Sequence, residues 1–179
     1  MVHADATDFA NDVTKDEAYD HLLLHARALF VGQRNWICNL ANTASLLWHA
    51  YKAMPHPSNK VNWAGFYVMD RSSTSPRLLL GPFQGKVACQ SIDLGRGVCG
   101  RAASSSETLV VDDVDEDVNH IACDSASKSE IVVPVIRGQG GRDVVAVIDI
   151  DCAAKRGFDD CDKRKLQLLA ELLSESCDW

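Results

Sequence analysis

The sequence predicts an α+β domain built on a central, largely antiparallel sheet flanked by helices. Three observations predict it. Helical apolar spacing marks both ends of the chain, and runs rich in branched and aromatic residues fill the middle. The two clearest strands, EIVVPVI and DVVAVIDID, are joined by the short segment RGQGGR, which reads as a hairpin turn. The order is two helices, several strands with one interrupting loop region, and a final helix, which suggests helices packed on a sheet.

The elements follow in turn. Residues 1–15, MVHADATDFANDVTK, are polar and acidic and read as a flexible N-terminal arm, leaving 16–179 as a single domain. From Asp16 to Phe30, apolar residues fall at Tyr19, Leu22, Leu23, Ala26 and Phe30, the spacing of a helix. A second helix runs from about Asn35 to Ala53, with Trp36, Leu40, Leu47, Trp48 and Tyr51 on its apolar side, and Pro55 and Pro57 end it. VNWAGFYVM is a strand and RSSTSP a turn. RLLLGPF and KVACQSI read as a strand pair around the loop Gln84-Gly85. RAASSSE is a short, Ser-rich helix, and TLVV a brief strand. The stretch Asp112 to Lys128, DDVDEDVNHIACDSASK, is a long polar loop, a feature that in compact domains tends to carry function. Asp159 or Asp160 caps a C-terminal helix with Leu166, Leu169, Leu172 and Leu173 on one face.

Composition narrows the function classes. The chain has 179 residues, 46% of them hydrophobic and 24% charged, with a formal net charge of -7. An acidic surface repels phosphate backbones, which argues against nucleic acid as a general partner. No stretch approaches the ~18 consecutive apolar residues of a membrane span. The N-terminus has no signal-peptide core and is too acidic for a transit peptide, so a cytoplasmic location is expected. Seven cysteines, Cys38, Cys89, Cys99, Cys123, Cys152, Cys161 and Cys177, are an odd number, and in a reducing compartment they are not a disulfide framework. No C-x-x-C pair supplies the usual zinc or thioredoxin spacing, and His120 with Cys123 makes a single H-x-x-C pair.

The motif GRGVCG, Gly95 to Gly100, fits G-x-G-x-x-G, and Asp112 and Asp113 follow at roughly the offset of a ribose-binding carboxylate. A dinucleotide turn, however, opens a long helix within a βαβ unit. Here the following segment is short and Ser-rich, and the preceding KVACQSIDL is half polar, unlike a buried parallel strand. Cys89 falls on a predicted strand, Cys99 just past a glycine turn and Cys123 in the long loop. His120 and Lys128 flank Cys123 and would favour its thiolate, while Asp124 works in the opposite direction.

A second cluster is carboxylate. Asp149 and Asp151 lie two apart on a strand and project from one face, which Val145 and Val147 share. The competing reading is a solvated strand face. Pairing through RGQGGR would bring Glu130 near the Asp149–Asp151 end. Three carboxylates in one pocket repel one another, which favours a neutral acid among them. Such an acid can polarise an S=O oxygen before a thiolate attacks sulfur, and the remaining negative charge suits an ammonium group.

NWAGFY, LGPFQGKVACQSI, GRGVCG, HIACDSASKSEIVVPV and VIDID, in this order, resemble the free methionine-(R)-sulfoxide reductases, single-domain enzymes of GAF-like fold. The resemblance spans about Lys15 to Cys177. It implies reduction of free L-methionine-(R)-sulfoxide to L-methionine. By position it makes Cys123 the residue that attacks sulfur and becomes sulfenic acid, Cys89 the principal resolving cysteine, and Cys99 a second cysteine able to pair with Cys123. Trp63 and Tyr67 match the aromatic residues that hold the S-methyl end. Glu130, Asp149 and Asp151 match the acids that bind the ammonium and polarise the sulfoxide oxygen, with the two duties undivided among them. The resemblance further implies no bound cofactor or metal, thioredoxin as reductant with NADPH consumed upstream, and, by analogy with GAF relatives, a homodimer. Cys38, Cys152, Cys161 and Cys177 read as buried thiols without a role. Two alternatives stand beside it. One is a GAF-type small-molecule or redox sensor, although 179 residues leave little room for an output domain. The other is a metal-binding protein using Cys89, Cys99, Cys123 and His120.

Overall fold

Capping chemistry starts each long helix where the sequence places it. Helix α1 (Lys15–Phe30) begins at Thr14, whose hydroxyl accepts from the Glu17 amide while the Glu17 carboxylate accepts from the Thr14 amide. Helix α2 (Trp36–Ala53) starts on Asn35, whose side chain accepts from the Cys38 amide. Of the two candidate caps for the C-terminal helix α4 (Asp160–Ser176), Asp159 is the one used, in a second capping box with Asp162. The Asp162 carboxylate is fully buried. It accepts from Tyr19 Oη at 2.8 Å and Lys15 Nζ at 2.6 Å, tying α1 to α4.

In the computed structural model, which describes residues 4–10, 13–72, 74–118, 124–138 and 141–179, these helices cover one face of a six-stranded sheet. Its strands are β1 (Val61–Asp70), β2 (Arg77–Gly85), β3 (Ser91–Asp93), β4 (Leu109–Val111), β5 (Ser129–Ile136) and β6 (Val144–Cys152). The order is β3-β2-β1-β6-β5-β4, and every pairing is antiparallel. Ala64, Phe66, Ile131, Val133, Ile148 and Ile150 join the helices in the main core. The opposite face carries Trp63, Tyr67, Val132 and Val147, and is covered by the short helix α3 (Gly97–Ser105) through Val98, Cys99, Ala102 and Ala103. No helix among the described residues is long and apolar enough to cross a membrane.

Three local expectations change. First, KVACQSI is not a strand throughout. β2 continues to Gly85, opposite Trp63, and only Ser91–Asp93 pairs with it on the other edge. Residues 86–90 form a loop, and Cys89 sits on it. The cause is tertiary: Trp63 Nε1 donates to Lys86 O at 3.1 Å and Tyr67 Oη to Cys89 O at 3.1 Å, so side chains of β1 satisfy carbonyls that a ladder would otherwise hold. Second, Val145 does not share the face of Asp149 and Asp151. A register shift between Val135 and Ile136 places Val145 at a bulge and sends it into the helix-side core, while Val144 and Val147 face the other way. Third, Cys38 is exposed on the first turn of α2 and is not a buried thiol; Cys161 is half-buried, and Cys152 and Cys177 are buried. Near the N-terminus, Phe9 packs its ring 4.5 Å from that of His21, and Ala6 is buried, so this part of the segment read as an arm lies against α1.

GRGVCG is a helix seat. Gly97 opens α3 at a φ of +59°, which a side chain would strain. At Gly100 the constraint is space, since a Cβ there would lie 2.3 Å from Asp93 O. The glycine lets the first turn of α3 press against the end of β3, which aims Cys99 at the sheet. Gly100→Ala is therefore expected to destabilise the protein by about 1–3 kcal/mol. A urea unfolding midpoint checks this; an unchanged midpoint would mean that α3 is seated by something else.

Candidate active site

Between the sheet's second face, α3 and two loops lies a cavity of about 230 Å³. Its floor follows from strand register. Asp151 of β6 lies directly between Trp63 of β1 and Glu130 of β5. Asp149, two residues back on the same face, lies between Gly65 and Val132. Directly opposed residues have Cβ atoms about 5 Å apart, so the three acids form one patch. Glu130 and Asp149 are each 6% exposed, and Asp151 is half-buried.

Aromatic residues make one wall. The Trp63 ring stacks with Tyr67 at 5.9 Å and with Phe83 of β2 at 5.2 Å. Gly65 makes this possible, because a Cβ there would fall 2.3 Å from Phe83 Cβ. Trp63 and Tyr67 line the cavity while Phe83 supports Trp63 without lining it, and sequence reasoning missed this support. The available signal was the alternation Trp63-x-Gly65-x-Tyr67, in which a glycine between two aromatics leaves space for a third.

Cys99 faces the floor from α3, with its Sγ 4.0 Å from Glu130 Oε1. It is 3% exposed. Burial pushes its thiol well above the usual range, and the charges of Asp149 and Glu130 push it further. Cys89 lines the same cavity from its loop, half-buried. Cys123 and His120 lie outside the described residues. The chain that follows them does reach the site, since Asp124 and Ser127 line the cavity. Asp124 is held there by Lys86 Nζ at 3.1 Å and Asn62 Nδ2 at 3.4 Å. The Ala126 amide and then the Lys86 ammonium keep its carboxyl below the usual range.

The structure thus brings together Trp63, Tyr67, Cys89, Cys99, Glu130, Asp149 and Asp151, every described member of the expected site. The metal alternative fares differently. Among the described residues, the donor atoms close enough to share an ion are those of Cys99, Glu130 and Asp149, within 4.8 Å of one another. The cysteine–histidine set read from the sequence includes Cys123 and His120, which lie outside the described residues. What the arrangement offers is a small enclosed space with hydrogen-bonding acids below, an aromatic slot at one side and thiols at its edges.

The electrostatics of Cys99 can be read directly. A thiol reacts with iodoacetamide as thiolate. At pH 8 Cys99 is expected to be modified far more slowly than exposed Cys38. Neutralising its neighbours in a Glu130→Gln, Asp149→Asn protein lowers the Cys99 pKa and so moves the midpoint of its alkylation-rate profile to lower pH. Peptide mass mapping across pH gives the rates. An unmoved midpoint would show that the carboxylates do not act on this thiol.

Comparison with known proteins places this geometry. A GAF domain model matches residues 43–176. The free methionine-R-sulfoxide reductase of Saccharomyces cerevisiae is 51% identical over 175 residues, 98% of this chain and 94% of the relative. The enzyme of the same name from Escherichia coli is 40% identical over 162 residues, 89% of each chain. The X-ray structure of free methionine-R-sulfoxide reductase from Neisseria meningitidis in complex with its substrate superposes with a TM-score of 0.81 at 38% identity, covering 94% of this chain and 92% of that one. With identity that runs nearly end to end and a shared fold, the chain belongs to the free methionine-R-sulfoxide reductases of the GAF-domain family.

Proposed function

We propose that the protein reduces free L-methionine-(R)-sulfoxide to L-methionine, with residues 16–179 as the catalytic domain. The observation that carries the reading is the buried acidic floor facing a cysteine-lined cavity of amino-acid size. Negative charge gathered on the floor of a small cavity attracts a cationic group, and a substrate ammonium is such a group.

The chemistry is a two-electron transfer. A carboxylic acid of the floor donates a hydrogen bond to the sulfoxide oxygen and polarises the S=O bond. The Cys123 thiolate attacks sulfur, the oxygen ends on the cysteine as sulfenic acid, and methionine leaves. A second thiol, Cys89 or Cys99, condenses with the sulfenic acid, forming a disulfide and releasing water. A dithiol partner then exchanges with that disulfide, regaining the thiols at its own expense. Thioredoxin in a reducing cytoplasm fits this role, with NADPH spent upstream. The relay falls to Cys89 in this reading, because it is half-buried on a loop whereas Cys99 is 3% exposed on α3. Trp63 and Tyr67 hold the S-methyl end, and the acids not engaged with oxygen hold the ammonium.

Two results are expected. With thioredoxin, thioredoxin reductase and NADPH, free R-sulfoxide turns over, while the S epimer, whose oxygen and sulfur cannot both be presented correctly, and the R-sulfoxide blocked at both termini, which brings no positive charge to the acidic floor, are reduced at least about tenfold more slowly. Comparable rates on the blocked R form would remove the acids from substrate recognition. In a stoichiometric assay without reductant, Cys123→Ser yields no methionine, whereas Cys89→Ser still completes one turnover and then recycles poorly. A normal first turnover by Cys123→Ser would overturn the assignment of the nucleophile.

A further inference from the structure

An acidic floor answers only half of a zwitterion. Free methionine sulfoxide brings an α-carboxylate as well as an ammonium, and Glu130, Asp149 and Asp151 repel it. The cavity must therefore present a cation away from its floor. Two cationic side chains line it, Lys86 and Arg96. Lys86 is already engaged, with its Nζ 3.1 Å from Asp124 Oδ2 and 3.3 Å from Oδ1. Arg96 makes no ion pair with any described residue and its side chain is exposed at the cavity edge.

The backbone of Arg96 is nevertheless fixed. Its amide donates to Asp93 O at 3.1 Å, and its carbonyl accepts from the Gly100 amide at 3.0 Å. It is the N-cap residue of α3, in extended conformation at φ -101°, ψ 138°, between two glycines at left-handed φ. A fixed backbone thus carries a guanidinium that forms no ion pair among the described residues, on the α3 side of a cavity whose floor is negative. The positive end of the α3 dipole lies at the same point and favours an anion there.

We propose that Arg96 binds the α-carboxylate of free methionine sulfoxide and is the residue by which the cavity recognises that end of the amino acid. The inference rests on the substrate class proposed above. Its planar fork pairs with both carboxylate oxygens, a geometry that the ammonium of a lysine cannot reproduce. Ammonium at the acids and carboxylate at Arg96 would orient the main-chain end of the substrate, leaving the sulfur end to the aromatic slot. Arg96 is then a specificity residue acting through binding, distinct from the thiols that perform the reaction.

The test separates charge recognition from turnover. L-methionine and L-methioninamide share the ammonium and side chain and differ in the carboxylate. Their dissociation constants, measured by ligand-detected NMR on the reduced protein, should favour the acid by about tenfold in the unmodified protein, the scale of a charge-assisted hydrogen-bonded pair. Arg96→Ala should weaken the acid by about that factor and leave the amide unchanged, and Arg96→Lys should restore part of the preference. In steady-state assays the same loss should enter KM for the free R-sulfoxide more than kcat. Equal weakening of acid and amide, or no weakening of the acid, would overturn the proposal. If the binding pattern holds but no variant or parent protein reduces the sulfoxide, Arg96 stands and the catalytic reading fails.

Discussion

The register of β6 between β1 and β5 is the constraint on which the site depends. Side chains on a strand alternate, so a slip of one residue would exchange the two faces entirely. In the observed register Ile148 and Ile150 enter the helix-side core, and Asp149 and Asp151 emerge on the cavity side. The apolar members decide the matter. Ile131, Val133, Ile148 and Ile150 are completely or almost completely buried against α2 and α4, and each such side chain stabilises the fold by about 1.5–3 kcal/mol. The slipped sheet would place these residues in a small polar cavity and the acids in an apolar core. The hydrophobic core thereby positions carboxylates that burial alone would disfavour.

The second layer is held differently. α3 and the loop at 86–90 cover the floor through few main-chain ladder bonds. Close backbone approach at Gly100 seats α3, and the indole and phenol of Trp63 and Tyr67 hold the loop. The same two aromatic residues that line the cavity therefore also position the backbone around Cys89. Disulfide formation needs Cα atoms within about 7 Å, so a resolving cysteine gains from a loop anchored by side chains and free of a sheet ladder.

Much of this was legible in the sequence, for identifiable reasons. The first two helices were legible from apolar spacing and the start of α4 from a capping side chain, Asp159, whereas the cap at Thr14 lay in the segment read as an arm. The acidic floor was legible because the strand pair around RGQGGR has strong β propensity and a short connection, which brought Glu130 opposite Asp151. KVACQSI misled because its composition suits a strand, whereas the partners of its carbonyls are indole and phenol groups distant in sequence. Val145 misled because a bulge leaves no mark in an apolar run. Arg96 was hidden inside a motif whose glycines attract a nucleotide reading; only the seating of α3 shows which way the turn faces. Cys123, proposed above as the nucleophile, falls outside the described residues, and the chain just after it, at Asp124 and Ser127, lines the cavity.

The central claim is that this cavity couples reduction of one sulfoxide to oxidation of two of the chain's own thiols. Its most direct test is stoichiometric and needs no variant. The fully reduced protein, with seven thiols, is mixed with excess free L-methionine-(R)-sulfoxide in the absence of any reductant, and both methionine and remaining thiols are counted. The account predicts one methionine per chain and five thiols left, with the missing pair joined as a disulfide among Cys89, Cys99 and Cys123 in the mass map. Seven thiols and no methionine, or methionine formed with the lost thiols drawn from Cys38, Cys152, Cys161 or Cys177, would contradict it.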